Sequence, residues 1–347
     1  MLLTMAVGQC VFLRYSCSNI KHAQGRFSLE SIPTLKDVLE AKARISPYIT
    51  RTSLHKHLAL DKLIGADTYV KHENHQPIRA FKVRGGVNFM ANLDTETRLR
   101  GVITATTGNH GQSIAYAARL FNVRALTVMP NGANPDKVEA IRSLGAEIQF
   151  VGQDFDDSRK YVERVANSEG MYYLSSGDDP LLIAGVGTYA LEILEELPSA
   201  DVIIVPVGGG SGAAGVCLAA KTLNPRVRLI GVQSEAAPAA YLSWKNKQQV
   251  DAQMETFAEG LATRSAFKMP QAIMRRYLDD FILVSEEELK SAIILAIEHT
   301  HNLVEAAGAA ALAAAALCPP LRQRAEMSSV VPAAPIPREK PAALPSR

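Results

Sequence analysis

The sequence predicts an α/β protein with two doubly wound parallel-sheet domains. Two apolar runs, residues 101–105 and 201–207, have the length and composition of strands buried on both faces of a parallel sheet. Each run is followed by a polar or glycine-rich turn and then by a helix-forming run, and this alternation recurs along the chain. A length of 347 residues favours two domains over one. Ligands are therefore expected at the carboxyl ends of the strands.

The overall composition is that of a globular protein that binds small molecules. Hydrophobic residues make up 47% of the chain and charged residues 21%, which is sufficient for a large core. The 37 basic and 35 acidic side chains nearly balance, so charge gives no reason to expect nucleic acid or a membrane surface as a partner. No uninterrupted apolar run is long enough for a transmembrane helix. The four cysteines lack metal-binding spacing, which favours reduced thiols in the cytoplasm.

Both ends of the chain differ in composition from the rest. Residues 1–28 contain basic but no acidic side chains, a weak indication of organellar targeting, with a disordered tail as the alternative. Residues 319–347 are rich in Pro, Ala, Ser and Arg. Because proline cannot donate a ladder hydrogen bond, the segment with Pro332 and Pro335 is not expected to form a central strand. We expect this tail to be degenerate or disordered.

The first half of the chain yields an entry helix and three strand–helix units. Residues 35–41 have helical apolar spacing, with Ser28 or Ser31 as the expected N-cap. A strand is predicted at residues 67–71 and a helix at 84–92. The three units that follow consist of strands 101–105, 124–129 and 147–151 and helices 113–121, 135–144 and 155–169.

The second half continues the alternation. Ser285 and Glu288 form a capping-box pattern, which predicts the start of a helix pair that reaches residue 317. The other predicted elements are strands 201–207, 228–233 and 281–284 and helices 213–223 and 241–247.

Lys82 stands between Phe81 and a pair of glycines, at the exit of a predicted strand. An apolar neighbour that desolvates a lysine lowers its pKa and allows the neutral amine to attack a carbonyl. The alternative is that Lys82 and Arg84 are two cations that begin a helix or line its solvated face. The sequence around Lys82 alone does not decide between them.

The glycine-rich run at residues 208–212 follows a buried strand and opens a helix. Successive backbone N–H groups at a helix N-terminus form an anion site that suits phosphate. A flexible connector without a ligand is one alternative. The other is a dinucleotide-binding fingerprint formed by Gly210, Gly212 and Gly215, with Glu235 about twenty residues further on, which would make the protein an NAD-dependent oxidoreductase.

The polar turn at residues 106–112 ends another strand. Asn109 can hydrogen-bond a ring hydroxyl or a carboxylate, and Thr106 and Thr107 add hydroxyls and open N–H groups; the alternative is an Asn-capped helix start. His110 is interpreted as part of the turn rather than as a base. The pair His72 and His75 has no third ligand in sequence, so no metal site is expected.

Together, the three segments resemble one enzyme family. Phe-Lys-Val-Arg-Gly-Gly (81–86), Thr-Gly-Asn-His-Gly-Gln (107–112) and Pro-Val-Gly-Gly-Gly-Ser-Gly (206–212) resemble, in this order, the serine/threonine dehydratases that depend on pyridoxal phosphate. The resemblance covers residues 31–318. It implies a tryptophan synthase β-like fold (fold type II), with a large cofactor-binding domain at 29–98 and 178–318 and a small domain at 99–177.

The resemblance also implies the chemistry and the site. The reaction is α,β-elimination from threonine or serine to give a 2-oxo acid and ammonia, in a cytoplasmic homo-oligomer, dimer or tetramer, like the threonine ammonia-lyases. Lys82 would carry pyridoxal 5'-phosphate as a Schiff base. Cofactor contacts would come from Phe81, Asn109, Gly208, Gly209, Gly210, Ser211, Gly212 and Glu305. Substrate contacts would come from Thr106, Thr107, Gly108, His110 and Gly260.

Departures from the family pattern favour some alternatives and disfavour others. Thr107 stands where serine racemases carry a second serine base, so racemisation is disfavoured. Ser234, Pro238 and Ala240 occupy the stretch that holds a divalent ion in those racemases, which argues against that metal site. Ile78 and Arg79 replace a threonine and a glycine, and residues 332–335 replace the turn whose serine contacts the pyridine nitrogen. A weakly active or inactive relative is therefore a second hypothesis.

Overall fold

The structure is a computed structural model that describes residues 32–317. The expectations for residues 1–28, for Ser28 and Ser31 as caps, and for the tail with Pro332 and Pro335 lie outside the described residues. The first helix instead begins after Thr34, whose side chain and backbone form a capping box with Asp37. Thr34 fills this role because it is the residue directly before the helix.

The predicted strands and helices are present with bounds shifted by a few residues, and the structure adds helices at Leu58–Ile64, Thr95–Arg100, Pro180–Glu196 and Lys268–Tyr277 that were not predicted. The helices are α1 (Leu35–Ile45), α2 (Leu58–Ile64), α3 (Val83–Ala91), α4 (Thr95–Arg100), α5 (Asn109–Phe121), α6 (Pro135–Ser143), α7 (Phe155–Glu169), α8 (Pro180–Glu196), α9 (Ser211–Leu223), α10 (Ala239–Lys245), α11 (Lys268–Tyr277), α12 (Glu286–Thr300) and α13 (Ala306–Leu317). Short 3₁₀ turns span Glu73–His75 and Glu259–Leu261. The strands are β1 (Leu54–Lys56), β2 (Tyr69–Lys71), β3 (Val102–Ala105), β4 (Ala125–Met129), β5 (Glu147–Phe150), β6 (Tyr172–Tyr173), β7 (Val202–Pro206), β8 (Arg228–Ser234) and β9 (Asp280–Val284).

Two parallel sheets organise the described residues, which confirms the predicted fold class. One sheet has the strand order β5-β4-β3-β6 and the other the order β7-β8-β9. Their registers pair Ile103 with Leu126 and Ile203 with Leu229. A small antiparallel pair, β1 with β2, precedes them. The sequence predicted β2 but not β1, because a three-residue strand carries too little periodicity to be recognised.

Local sequence signals explain where several elements begin. Pro135 occupies the first turn of α6, and the Asn134 side chain accepts a hydrogen bond from the Asp136 amide. The predicted capping box of Ser285 and Glu288 is confirmed at the start of α12. In the part of the chain that the structure describes, no helix is both long and apolar enough to cross a membrane.

Helix α3, which follows Lys82, is held between α5 and α8 by contacts that require glycine. A Cβ atom on Gly86 would lie 2.3 Å from Ser113 Oγ of α5, and one on Gly85 would lie 2.9 Å from the Leu182 carbonyl oxygen of α8. On the α8 side, a Cβ on Gly185 would lie 2.6 Å from the Arg84 carbonyl oxygen. The backbones therefore approach more closely than any side chain would allow.

Candidate active site

A cleft opens where the carboxyl ends of β3 and β7 face each other. The space inside the cleft is about 70 Å³. Predicted site residues that line it are Lys82, Thr106, Thr107, Gly108, Asn109, His110, Gly209, Gly260 and Glu305. The other predicted residues are not among those that line it, although Phe81 is the chain neighbour of Lys82, and Gly208, Gly210, Ser211 and Gly212 flank Gly209. The fold thus brings the three sequence-distant segments together.

Lys82 lies at the N-terminus of α3 and reaches into the cleft. Its carbonyl oxygen accepts a hydrogen bond from Ser113 Oγ at 2.6 Å, and its Nζ lies 5.3 Å from the centroid of the Phe81 ring. Burial lowers the pKa of Lys82 to about 8, although the nearby Glu305 carboxylate acts to raise it. A substantial fraction of the amine is therefore neutral near physiological pH. Arg84 is only 1% exposed, so the alternative that places it on the solvated face of a helix is wrong.

Phe81 packs on the helix that the glycine loop opens. A Cβ on Gly212 would lie 3.0 Å from the Phe81 ring, and the ring centroid of Tyr189 is 5.9 Å away. Phe81 therefore joins the segment of Lys82 to the start of α9. Its contact with the cofactor ring stays a prediction.

The glycine loop presents backbone N–H groups at the start of α9. The first amide bonded within the helix is that of Ala214, which donates to the Gly210 carbonyl, so the amides of Ser211, Gly212 and Ala213 precede the helical hydrogen bonds. Gly210 has a φ of 91°, and a Cβ on Gly208 would lie 2.1 Å from the Gly260 carbonyl oxygen. Only glycine fits these positions, and the three amides at the start of α9 suit an anion.

Gly215, the third glycine of the dinucleotide fingerprint, has a different role. A Cβ at this position would lie 2.6 Å from the Gly187 nitrogen of α8. Gly215 thus allows α8 and α9 to pack closely, and this helix–helix contact accounts for the glycine without a dinucleotide.

The turn after β3 is shorter than predicted, because α5 begins at Asn109 rather than at Ser113. Thr106 Oγ1 accepts hydrogen bonds from the amides of Gly108 and Gly111, both at 3.0 Å, and so organises the first turn. The Asn-capped alternative is wrong, since Gly108 is the N-cap and Asn109 is already helical. The amides of Asn109 and His110 precede the first helical bond, donated by Gln112 to the Gly108 carbonyl. They are suited to a carboxylate.

His110 is buried and held in a single tautomer. The Thr104 hydroxyl donates to the Leu174 carbonyl at 2.7 Å and lies 2.8 Å from His110 Nε2. Since the hydroxyl hydrogen is used on Leu174, His110 Nε2 carries a hydrogen and donates to Thr104 Oγ1. Burial lowers the pKa of His110 to about 3, helped by the positive charge of Lys82. His110 is therefore neutral at physiological pH.

The structure adds residues that sequence reasoning missed. Lys137 Nζ lies 2.8 Å from Asn109 Oδ1 and 3.2 Å from Glu305 Oε2, and the Asn109 amide donates to Glu305 Oε1 at 2.6 Å. Thr263 also lines the cleft, and its buried Oγ1 has no hydrogen-bond partner among the described residues. The one signal available in sequence was the position of Thr263 three residues after Gly260.

Ile78 and Arg79 do not line the cleft. Ile78 is buried in the core, whereas Arg79 is exposed and has a left-handed backbone with φ of 60°. Arg79 therefore places no bulky cation in the described cleft lining. What the arginine does impose is backbone strain.

Histidines gather away from the cleft. His55 and His57 stand near His72 and His75, and the Nε2 atoms of His57 and His72 are 3.2 Å apart. Nevertheless, residues 32–317 contain no group of three or more His, Cys, Asp or Glu side chains placed to hold a metal ion.

A family model described as pyridoxal-phosphate dependent enzyme matches residues 45–332. The chain belongs to the family of pyridoxal-phosphate dependent enzymes. The resemblance noted in the three motifs is thereby confirmed. The cofactor prediction is confirmed as well, and the nicotinamide alternative is set aside.

Several curated relatives are named as L-threonine ammonia-lyases or L-threonine dehydratases. The chain is 40% identical to an L-threonine ammonia-lyase of Geobacter sulfurreducens over 80% of its length and 69% of the relative's. It is 37% identical to an L-threonine ammonia-lyase of Thermotoga maritima over 81% and 70% of the two chains. A catabolic L-threonine dehydratase, TdcB, of Staphylococcus aureus is 36% identical over 82% of both.

Solved structures of family members share the fold. The maize serine racemase has a TM-score of 0.81 and 31% identity, covering 85% of this chain and 90% of the racemase. The processed form of threonine deaminase isoform 2 from Solanum lycopersicum has a TM-score of 0.76 and 31% identity, covering 83% of this chain and 86% of the deaminase.

The residues of the cleft fit pyridoxal phosphate. A lysine with a lowered pKa suits covalent attachment, and the amides at the start of α9 suit the phosphate group. The close approach of Gly208 to Gly260 leaves room for backbone but for no side chain. Residues 332–335, which are aligned with the turn that contacts the pyridine nitrogen in the family, lie outside the described residues.

Proposed function

We propose that the protein is an ammonia-lyase that converts L-threonine, L-serine or both to a 2-oxo acid and ammonia. The observation that carries this proposal is Lys82, whose pKa is lowered to about 8, in a cleft between a phosphate-type loop and a carboxylate-type turn. The names of the curated relatives support the same reaction.

Lys82 holds and moves the proton in this reaction. Its neutral Nζ accepts the α-proton of the substrate, because a base is most effective when its pKa is near the working pH. When bound, pyridoxal phosphate supplies the electron sink for the pair left at Cα. His110 is neutral in this pH range because burial lowers its pKa to about 3, so it is a weaker base than Lys82.

The start of α5 orients the substrate. The amides of Asn109 and His110 bind the carboxylate, and Thr107, half-buried at the cleft wall, stands beside them. Thr106 stabilises this arrangement, because its Oγ1 accepts hydrogen bonds from the amides of Gly108 and Gly111. Lys82 returns the proton to the β-hydroxyl, which leaves as water. The released enamine tautomerises to an imine, and a water molecule hydrolyses the imine to the 2-oxo acid and ammonia.

The test is turnover combined with mapping of the lysine. Purified full-length protein is incubated with L-threonine and L-serine, and the 2-oxo acid and ammonia are measured in parallel with D-serine. Borohydride reduction followed by peptide mapping should place a pyridoxyl group on Lys82. Labelled Lys82 without turnover would support the inactive-relative hypothesis. D-serine as the main product would favour a racemase, and unlabelled Lys82 would overturn the proposal.

We also propose the broader organisation implied by the family resemblance. The large domain comprises residues 29–98 and 178–318 and the small domain 99–177, and the two sheets of the described chain support this division. A cytoplasmic homo-oligomer is the expected form. Light scattering of the purified protein measures its mass, and a monomeric mass would contradict the oligomer.

A further inference from the structure

Lys137, Asn109 and Glu305 form a closed polar triangle at the edge of the cleft. Lys137 lies on α6 and Asn109 on α5, whereas Glu305 directly precedes α13. Each of the three side chains contacts both others, at 2.8 Å for Lys137 with Asn109, 3.2 Å for Lys137 with Glu305 and 2.6 Å for Asn109 with Glu305. The triangle therefore links elements that pack on different sheets.

The chemistry of the partners fixes the orientation of the Asn109 amide. A lysine ammonium can only donate hydrogen bonds, and a carboxylate can only accept them. The amide oxygen must therefore face Lys137, and the amide nitrogen must face Glu305. Asn109 Nδ2 carries two hydrogens, and Glu305 is the one acceptor that it contacts within the described residues. The second hydrogen of Nδ2 is therefore available to a ligand in the cleft.

The aliphatic part of Lys137 is also held in place. A Cβ on Gly108 would lie 3.3 Å from both Cγ and Cδ of Lys137, so the stem passes over the turn predicted to bind the substrate carboxylate. The Lys137 side chain is 24% exposed. An ammonium on a packed stem is better ordered than one on a free surface chain.

Charge gives Lys137 a second effect on the site. Glu305 is the charged group that acts to raise the pKa of Lys82, against the effect of burial. The ammonium of Lys137 next to Glu305 offsets this carboxylate. Removing Lys137 leaves an uncompensated negative charge, which favours the protonated form of Lys82.

We propose that Lys137 is a positioning residue, which directs the amide of Asn109 towards the bound pyridoxal ring oxygen and balances Glu305 beside Lys82. This inference rests on the proposed cofactor site and extends it to Lys137, a further residue of the cleft lining that acts through Asn109 and Glu305. A bridge that only joined α6 to the α13 region would affect the stability of the protein but not its interaction with the cofactor.

The first experiment compares Lys137→Met with Arg142→Met. Both substitutions remove a cation that pairs with a glutamate, and both lie on α6, but the Arg142 pair with Glu139 is exposed and far from the cleft lining. Titration of the full-length protein with pyridoxal phosphate, followed by absorbance, measures the dissociation constant. Lys137→Met should weaken binding about tenfold, equivalent to about 1.4 kcal/mol. Arg142→Met should leave it within about twofold of wild type, as expected for a surface ion pair.

The second experiment separates amide orientation from charge. The rate of cofactor capture is measured against pH for wild type, Lys137→Met, Glu305→Gln and the double variant. The midpoint should move up in Lys137→Met and down in Glu305→Gln, and it should return towards wild type in the double variant. The affinity for pyridoxal phosphate should stay reduced in the double variant, because Asn109 Oδ1 still lacks the hydrogen bond from Lys137 Nζ.

The outcomes distinguish this inference from the proposed function. If wild type binds no pyridoxal phosphate at Lys82, the proposed function fails. If wild type binds it, but Lys137→Met has the same affinity as Arg142→Met and the same pH midpoint as wild type, the positioning role is wrong. Thermal unfolding of each variant shows whether a loss of cofactor affinity is caused by misfolding. If Lys137→Met is unstable, Lys137→Arg replaces it in the test. Because this variant keeps the positive charge, its pH midpoint should match that of wild type.

Discussion

Arg84 and Glu192 form a bidentate ion pair inside the protein, two residues after the lysine of the cleft. Arg84 Nη1 donates to Glu192 Oε1 at 2.6 Å and Nη2 to Glu192 Oε2 at 2.9 Å. The side chains are 1% and 7% exposed. Glu73 and Lys71 complete a buried group of two cations and two carboxylates. Because this group joins α3 to α8, it stabilises the helix that positions Lys82.

Arg84→Met should destabilise the protein by about 3 to 5 kcal/mol, because it leaves buried carboxylates without their main partner. Urea unfolding of wild type and variant measures the difference. Arg124→Met is the matched control, since Arg124 also holds a glutamate with two hydrogen bonds but is 53% exposed. Arg124→Met should lower the free energy of unfolding by about 1 kcal/mol or less. Equal costs for the two variants would contradict the role assigned to burial.

The contribution of the same pair should depend on pH. Burial acts to raise the pKa of Glu192, but the hydrogen bonds and charges of Arg84 and Lys71 outweigh it, and the pKa is lowered from 4.5. The stabilisation is therefore complete above about pH 4.5 and is lost as the pH falls through the lowered pKa. The difference in unfolding free energy between wild type and Arg84→Met should shrink over this acid range. A difference that is constant down to the acid transition would refute the linkage.

Arg79→Gly should stabilise the protein. Arg79 has a φ of 60°, a conformation that costs a residue with a Cβ about 1 kcal/mol, and its side chain is exposed. Thermal or urea unfolding should show a gain of up to about 1 kcal/mol. Arg79→Ala is the control, because alanine removes the guanidinium but keeps the Cβ. A similar gain in both variants would mean that charge, rather than backbone strain, is responsible.

Thr263→Val should change substrate binding without harming the fold. The Thr263 hydroxyl is buried at the cleft wall and has no partner among residues 32–317, so an apolar group of the same shape should cost little stability. If the hydroxyl binds the substrate, KM for L-threonine or L-serine should rise by about tenfold. Steady-state assays and urea unfolding measure both effects. An unchanged KM for both amino acids would exclude Thr263 from substrate recognition.

Most of the fold and part of the site could be predicted from sequence. Strand β3 and helix α7 were evident because their apolar patterns are local, and the glycine loop was evident because Gly210 and its neighbours have few other uses. Lys137 and Thr263 were missed because neither belongs to a local pattern. Their roles arise only when the fold brings α6 and the loop after Gly260 to the same cleft. The buried position of Arg84 could not be predicted for the same reason, since its partner Glu192 is distant in sequence.

The close packing of Gly85 and Gly86 makes Lys82 a fixed reference point for whatever binds in the cleft. A helix whose backbone touches its neighbours cannot shift to suit a larger or smaller ligand. Adjustment to a new amino acid must therefore come from the opposite wall, where α6 and residues 259–263 stand. Along a lineage that changes its substrate, positions 85 and 86 should stay invariant while those segments diverge.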